Sequence, residues 1–275
     1  MSEENQLKKI QEYEYEALVA VSNICKKNGL KLFLRGGSVL GAVKYGGFVP
    51  WDDDIDIVLQ RKDYLKLIEI MPEEFDNKFK FVSYQKTENA HCYFPRILLK
   101  EDIREKEEFP KNNERGLVLI DVLPLDGMPN GKIKSKFMIY KIYLYRILAS
   151  LWTIGVKDTV SMHGSKKDKI LKILHATKMH HLYKQDDIYL KMDKLYQKNE
   201  FGETKRACIL SSSKLKKEIV PTEWWGDGKL SKFNELDVFV PSQYDNYLKQ
   251  LFGDNYRTYE PPVEERKKSH LTGNI

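Results

Sequence analysis

"RGGSVLGAVKYGGFVPWDDDIDIVL" occupies Arg35 to Leu59. Four aspartates, Asp52, Asp53, Asp54 and Asp56, fall within five positions, and apolar residues follow at once. Acids packed this closely repel one another and are poor strand formers. A strand over Asp54–Leu59 sets Asp54 and Asp56 on one face, roughly 7 Å apart, and turns Ile55 and Ile57 to the core. Two carboxylates fixed that way call for a cation. Mg²⁺ is the natural one, with Mn²⁺ as a substitute, because a hard ion binds through carboxylates together with substrate phosphates. Two such ions roughly 4 Å apart can clamp the attacking and leaving oxygens of a phosphoryl transfer. The plainer reading is a solvated acidic turn, and Asp53 is read that way.

Upstream, Gly36-Gly37-Ser38 reads as a turn between a short strand, "LKLFLR" (Leu30–Arg35), and a short helix over "SVLGAVKY" that closes at Gly46-Gly47. Glycines let a backbone approach a ligand closely, and amides at a helix start attract phosphate. Ser38 either caps the helix or bonds a phosphate oxygen. Lys44 adds positive charge to the same place, or is an ordinary surface lysine. Downstream, "GLVLIDVLPLDGM" (Gly116–Met128) reads as a strand stopped by Pro124 and Gly127. Asp121 interrupts that apolar run, where an acid is costly unless paired or metal-bound. It completes the metal site, takes the proton of an attacking hydroxyl, or is a strand-end acid near solvent. Arg96, in "YFPRILLK", faces a transferred phosphate or lies on an edge strand.

Further out, 275 residues suffice for one large domain or one domain with a sizeable insertion. The apolar fraction of 41% supports a packed core. A net charge of +6 suits anionic partners without choosing among nucleotide, nucleic acid and membrane. Cys25, Cys92 and Cys208 lie far apart, which argues against a disulfide framework or structural zinc and for buried thiols in a reduced, cytoplasmic protein. The N-terminus is polar, unlike a signal peptide, and no uncharged apolar run reaches the roughly 18 residues of a spanning helix. Of the histidines, His91, His163, His175, His180, His181 and His270 show no metal spacing, and the pair at 180–181 reads as exposed.

The first 130 residues alternate helix and strand, as an α/β or α+β catalytic core does. Residues 131–200 read as a helical insertion or subdomain, and 201–275 return to short elements that complete the core. Lys132 to Lys184 mixes aromatic with basic residues. Helices of that kind either pack an apolar stripe inward or lie on an anionic membrane surface as a peripheral contact.

Taken together, GGS at a strand–helix turn, an acid–apolar–acid strand and a third acid on a later strand resemble the nucleotidyltransferase fold: a mixed β-sheet flanked by helices. The longer string "GGSVLGAVKYGGFVPWDDDIDI" is similar to the signature of the LicD family, phosphocholine transferases of bacterial surface glycans, with the fukutin-related enzymes as more distant relatives. "IDVLPLDG" and "YLKQLFGDNYRTYEPPVEERKKSH" extend the likeness, which spans about Leu30–Gly127 and Val238–His270. The middle carries no matching motif, and the zinc-binding cysteines of the fukutin-related enzymes are missing.

The resemblance implies transfer of a phospho-alcohol, chiefly from CDP-choline with release of CMP, to a sugar hydroxyl of a glycan, teichoic acid or lipopolysaccharide precursor that is often lipid-linked. It implies Asp54, Asp56 and Asp121, with Asp52 nearby, as metal ligands, Asp121 alternatively as base, and Gly36, Gly37 and Ser38 as a phosphate cradle. Such an enzyme works in the cytoplasm or on the inner membrane face. The rival readings are CDP-ribitol or CDP-glycerol as donor, nucleotidyl transfer to nucleic acid, and an inactive scaffold. Nothing resembles an RNA-binding module.

Overall fold

The computed structural model describes residues 3–154, 166–263 and 266. His163 and His270 lie outside them. Among the described residues the architecture is a mixed sheet of ten strands flanked by helices.

Helix α1 (Glu3–Lys27) buries Ile10, Leu18, Val21 and Cys25, a helical spacing, and ends before Gly29 at φ 67°. Then come β1 (Leu32–Leu34), α2 (Gly36–Leu40), β2 (Ile55–Gln60), α3 (Arg61–Ile70), β3 (Glu74–Phe75), β4 (Phe79–Val82), β5 (Arg96–Leu99), α4 (Glu101–Lys106) and β6 (Val118–Met128). The helical stretch holds α5 (Lys132–Thr153), α6 (Lys166–Ala176), a 3₁₀ turn (Met179–Leu182) and α7 (Gln185–Tyr196). The chain closes with β7 (Arg206–Cys208), β8 (Val220–Pro221), α8 (Thr222–Trp225), β9 (Lys229–Phe233), β10 (Leu236–Val240) and α9 (Tyr244–Phe252).

The strand order is β3-β4-β5-β6-β2-β1-β10-β9, and β7 joins β6 to β8. β2 runs parallel to β6, and β1 parallel to β10; the other pairs are antiparallel. β2 and β6 are central, so both read as nearly unbroken apolar runs.

Alternation along the strands feeds two cores. Phe81, Ile97, Leu99 and Ala207 join one with α1, α3 and α9; Val82, Leu98 and Cys208 join the other with Met138 and Ile142 of α5 and Ile188 and Met192 of α7. The helical stretch thus shares a core with the sheet. All three cysteines are buried and reduced. No described helix is long and apolar enough to cross a membrane.

Four local expectations change. β2 begins at Ile55, so Asp54 lies just before the strand rather than on one face of it with Asp56. β6 runs through Pro124 to Met128. On one edge β5 pairs as far as Asp121 and β7 begins at Asp126, so Pro124 falls in the gap between two ladders, where its missing N–H interrupts neither. The helix begins at Gly36 itself, and Gly41–Tyr45 continues it as a π-helical turn, so the two glycines form its first turn. His180 is buried, stacked on His175 with ring centroids 4.3 Å apart and edge-on to Trp152; only His181 of that pair is exposed.

Candidate active site

The register of the central strands sets the site. Asp56 of β2 lies opposite Asp121 of β6, and Asp121 lies opposite Arg96 of β5. Residues in register project to the same side of neighbouring strands, which are roughly 4.8 Å apart. The row Asp56–Asp121–Arg96 is therefore built by backbone pairing. Arg96 Nε stands 3.2 Å from Asp121 Oδ1.

Next to this row a cleft of about 450 Å³ opens between the sheet, α5 and the loop after β7. Asp54, Asp121 and Arg96 line it, as do Arg35 and Arg146. Three guanidinium groups and two carboxylates on one concave wall suit a phosphorylated ligand.

Asp56 is held from two directions. Its backbone N–H donates to Ser38 Oγ at 2.9 Å, and its carboxylate accepts from Arg35 Nη1 at 2.7 Å. Ser38 therefore braces β2, and Arg35, in extended conformation, takes the helix N-cap position expected of the serine. Arg35 also donates through Nε (2.9 Å) and Nη2 (2.5 Å) to Glu218 Oε1, and through Nη2 to Ser212 Oγ (2.7 Å). Tyr247 donates to the other Glu218 oxygen at 3.1 Å. Burial acts to lower the Arg35 pKa, yet Asp56 and Glu218 raise it well above the usual guanidinium value. Glu218 is 1% exposed, so the arginine compensates a carboxylate that could not otherwise be buried.

The glycine pair makes room for these acids. A Cβ on Gly37 would sit 2.7 Å from Asp52 Oδ2, and one on Gly36, at φ 55°, 3.7 Å from Asp56 Oδ2. Any side chain at Gly37 displaces Asp52.

Asp52, Asp53 and Asp54 each bring a ligand oxygen within 4.8 Å of the others. This all-carboxylate set fits a hard divalent cation. Asp53, expected in solvent, is 2% exposed. Asp56 and Asp121 stand outside this cluster, although Asp56 borders the cleft through Arg35. Gly36, Gly37, Ser38 and Lys44 are not among the lining residues. Lys44 instead donates to the Tyr259 carbonyl at 3.0 Å and lies 3.8 Å from Glu260, tying down the C-terminal segment.

Several site residues carry no role in the sequence reading. Arg146 donates to the carbonyls of Leu210 (2.7 Å) and Ser212 (2.8 Å), and Tyr93 to that of Ser211 (3.2 Å). Together with Arg35 they clamp the serine loop against the cleft. Three serines after an apolar strand were the available signal for this loop. Glu218 and Arg146 gave none.

Residues 29–115 match the family model described as LicD/FKTN/FKRP, nucleotidyltransferase domain. The chain is 21% identical over 254 residues to lipopolysaccharide cholinephosphotransferase LicD of Haemophilus influenzae, an alignment that covers 90% of this chain and 89% of the relative. It is 25% identical over 122 residues to human ribitol 5-phosphate transferase FKRP, covering 36% of this chain and 25% of that protein. An uncharacterized protein of Rickettsia prowazekii is 33% identical over 75 residues, 27% of this chain and 28% of the relative.

Proposed function

We propose, for a chain whose residues 29–115 match the LicD-family model, transfer of a phospho-alcohol from a CDP-alcohol to a sugar hydroxyl. The observation that carries the reading is the in-register row Asp56–Asp121–Arg96, of which Asp121 and Arg96 line one cleft together with Asp54. CDP-choline is the leading donor, because the relative aligned over nearly its whole length is named a cholinephosphotransferase, whereas the ribitol phosphate transferase aligns over a quarter of its own. A lipid-linked glycan is the leading acceptor.

In this reading Arg96 and Arg146 neutralise the diphosphate and hold its phosphorus in line with the incoming hydroxyl. The hydroxyl oxygen attacks the phosphorus that carries the alcohol. The bond from that phosphorus to the bridging oxygen breaks, and CMP leaves with the electron pair. Asp121 accepts the hydroxyl proton. Arg35 positions Asp56 and, through Ser212, the loop opposite. Asp52, Asp53 and Asp54 would hold Mg²⁺, which when bound supplies charge neutralisation to the departing phosphate.

The test is CMP release by the purified protein from CDP-choline, CDP-ribitol and CDP-glycerol, with and without a glycan acceptor, in Mg²⁺ and after chelation. Acceptor-dependent release from one donor, abolished in Asp121→Asn, is expected. Release from none of the three, or an Asp121→Asn variant as fast as wild type, refutes the assignment.

A further inference from the structure

Helix α5 has two apolar faces. Ser135, Met138, Ile142 and Ala149 are buried beneath it. On the opposite side Ile133, Phe137, Tyr140, Leu144 and Ile147 recur at steps of four and three, which lines side chains up along a helix. They are 84%, 59%, 66%, 42% and 43% exposed. Single exposed apolar residues need no explanation, but a continuous line of five does. Ile173, Met179 and Leu182, on α6 and the 3₁₀ turn packed against α5, are exposed as well.

The rim of the stripe is cationic. Lys132, Lys134 and Lys136 are exposed, and Lys141 Nζ lies 4.7 Å over the Phe137 ring. No acid occurs in α5. We infer that this face of α5 docks on a bilayer surface containing anionic lipid. Charge decides against a second copy as occupant: two stripes laid together would bring lysine rim against lysine rim. Anionic headgroups complement that rim, and aromatic rings beside lysines suit the boundary between headgroups and acyl chains. The helix lies on the bilayer rather than spanning it, in keeping with its lack of a spanning-length apolar run.

The same helix gives Arg146, Ala149, Ser150 and Thr153 to the cleft wall. Docking therefore brings the cleft within about one helix diameter, roughly 10 Å, of the headgroups. The inference stands apart from the proposed reaction, since its test reads binding and not turnover.

The experiment is flotation of the full chain with vesicles of phosphatidylcholine alone, or of phosphatidylcholine mixed with phosphatidylglycerol. Wild type is expected to float with the mixed vesicles, to stay behind with the neutral ones, and to lose binding as salt rises. Phe137→Ser with Leu144→Ser should lower partitioning at least tenfold, on the order of the loss of two buried apolar side chains. Lys134→Gln with Lys136→Gln should lower it about 25-fold at low salt, roughly fivefold per lysine. All these side chains are exposed, so melting curves should match wild type. Equal flotation of the variants, or no flotation with anionic vesicles, overturns the inference. So does a dimer in light scattering that Phe137→Ser with Leu144→Ser dissociates, since a second copy would then cover the stripe.

Discussion

Two arginines sit at opposite ends of the β2–β6 pair, Arg61 buried and Arg35 partly exposed, and they are built differently. Arg61, just past β2, makes a two-pronged pair with Asp126 (2.7 and 2.5 Å) and a third bond to Asp193 of α7 (2.7 Å). Burial pushes the Asp126 carboxyl up to about 6 against the pull of Arg61. That cluster is closed: it staples α7 to the sheet. Arg35 also binds two carboxylates, but it lines the cleft beside Asp54, Asp121, Arg96 and Arg146. Similar chemistry joins the layers at one end and presents charge to a cavity at the other.

Substitutions can break that contrast. The largest effect is expected for Asp54→Asn, which keeps both Asp56 and Glu218 on Arg35 and should cut turnover roughly thousandfold, as loss of a key electrostatic group does. Asp56→Asn is a less clean probe, because it also removes an Arg35 partner. Next come Arg35→Met and Arg61→Met. Each strands a buried carboxylate and should cost about 3–5 kcal/mol in urea unfolding. Turnover per folded molecule should survive in Arg61→Met and fall in Arg35→Met. Equal turnover losses in the two would erase the distinction.

Gly37→Ala comes next. It forces Asp52 aside and should weaken divalent-cation binding in calorimetry while costing little stability; binding at wild-type strength would remove the steric role of this glycine. The smallest effect belongs to an exposed cluster. Hydrogen bonds from Lys249 and Tyr256, then Arg257, hold the Asp245 carboxyl down at about 2. A depressed carboxylate pKa contributes stability above its unfolded value, near 4, and loses it as pH falls toward 2. The wild-type advantage over Asp245→Asn should therefore be small at pH ~5, since exposed pairs are screened, and vanish by pH ~2. A difference that persists there contradicts the linkage.

What the sequence exposed and what it hid divide along the same lines. Asp56 and Asp121 stood out in the sequence because an acid inside an apolar strand has few cheap explanations, whereas Asp54, read as part of that strand, lies just before it. The α/β character was legible from alternating helices and strands, and the mixed sheet followed from the resemblance to the nucleotidyltransferase fold. Glu218 and Tyr247 were not legible, since Glu218 meets Arg35 across 183 residues and Tyr247 meets the Gly36 N–H across 211, and no local pattern marks such partners. Arg146 was hidden among lysines and tyrosines in a helix whose two faces are both apolar. Pro124 misled because proline usually ends a strand, and only the exchange of β5 for β7 along one edge permits it here.

The pairing of Phe33 with Phe239 has a consequence for biosynthesis. A chain leaving the ribosome at about 5–20 residues per second displays its acidic strand long before β10 exists to flank β1. Until residue 218 and the tyrosine of α9 emerge, Arg35 lacks its second carboxylate and the cleft its far wall. Nascent and prematurely terminated products should therefore be inert, and synthesis through β10 and α9 becomes the step at which a competent molecule first appears.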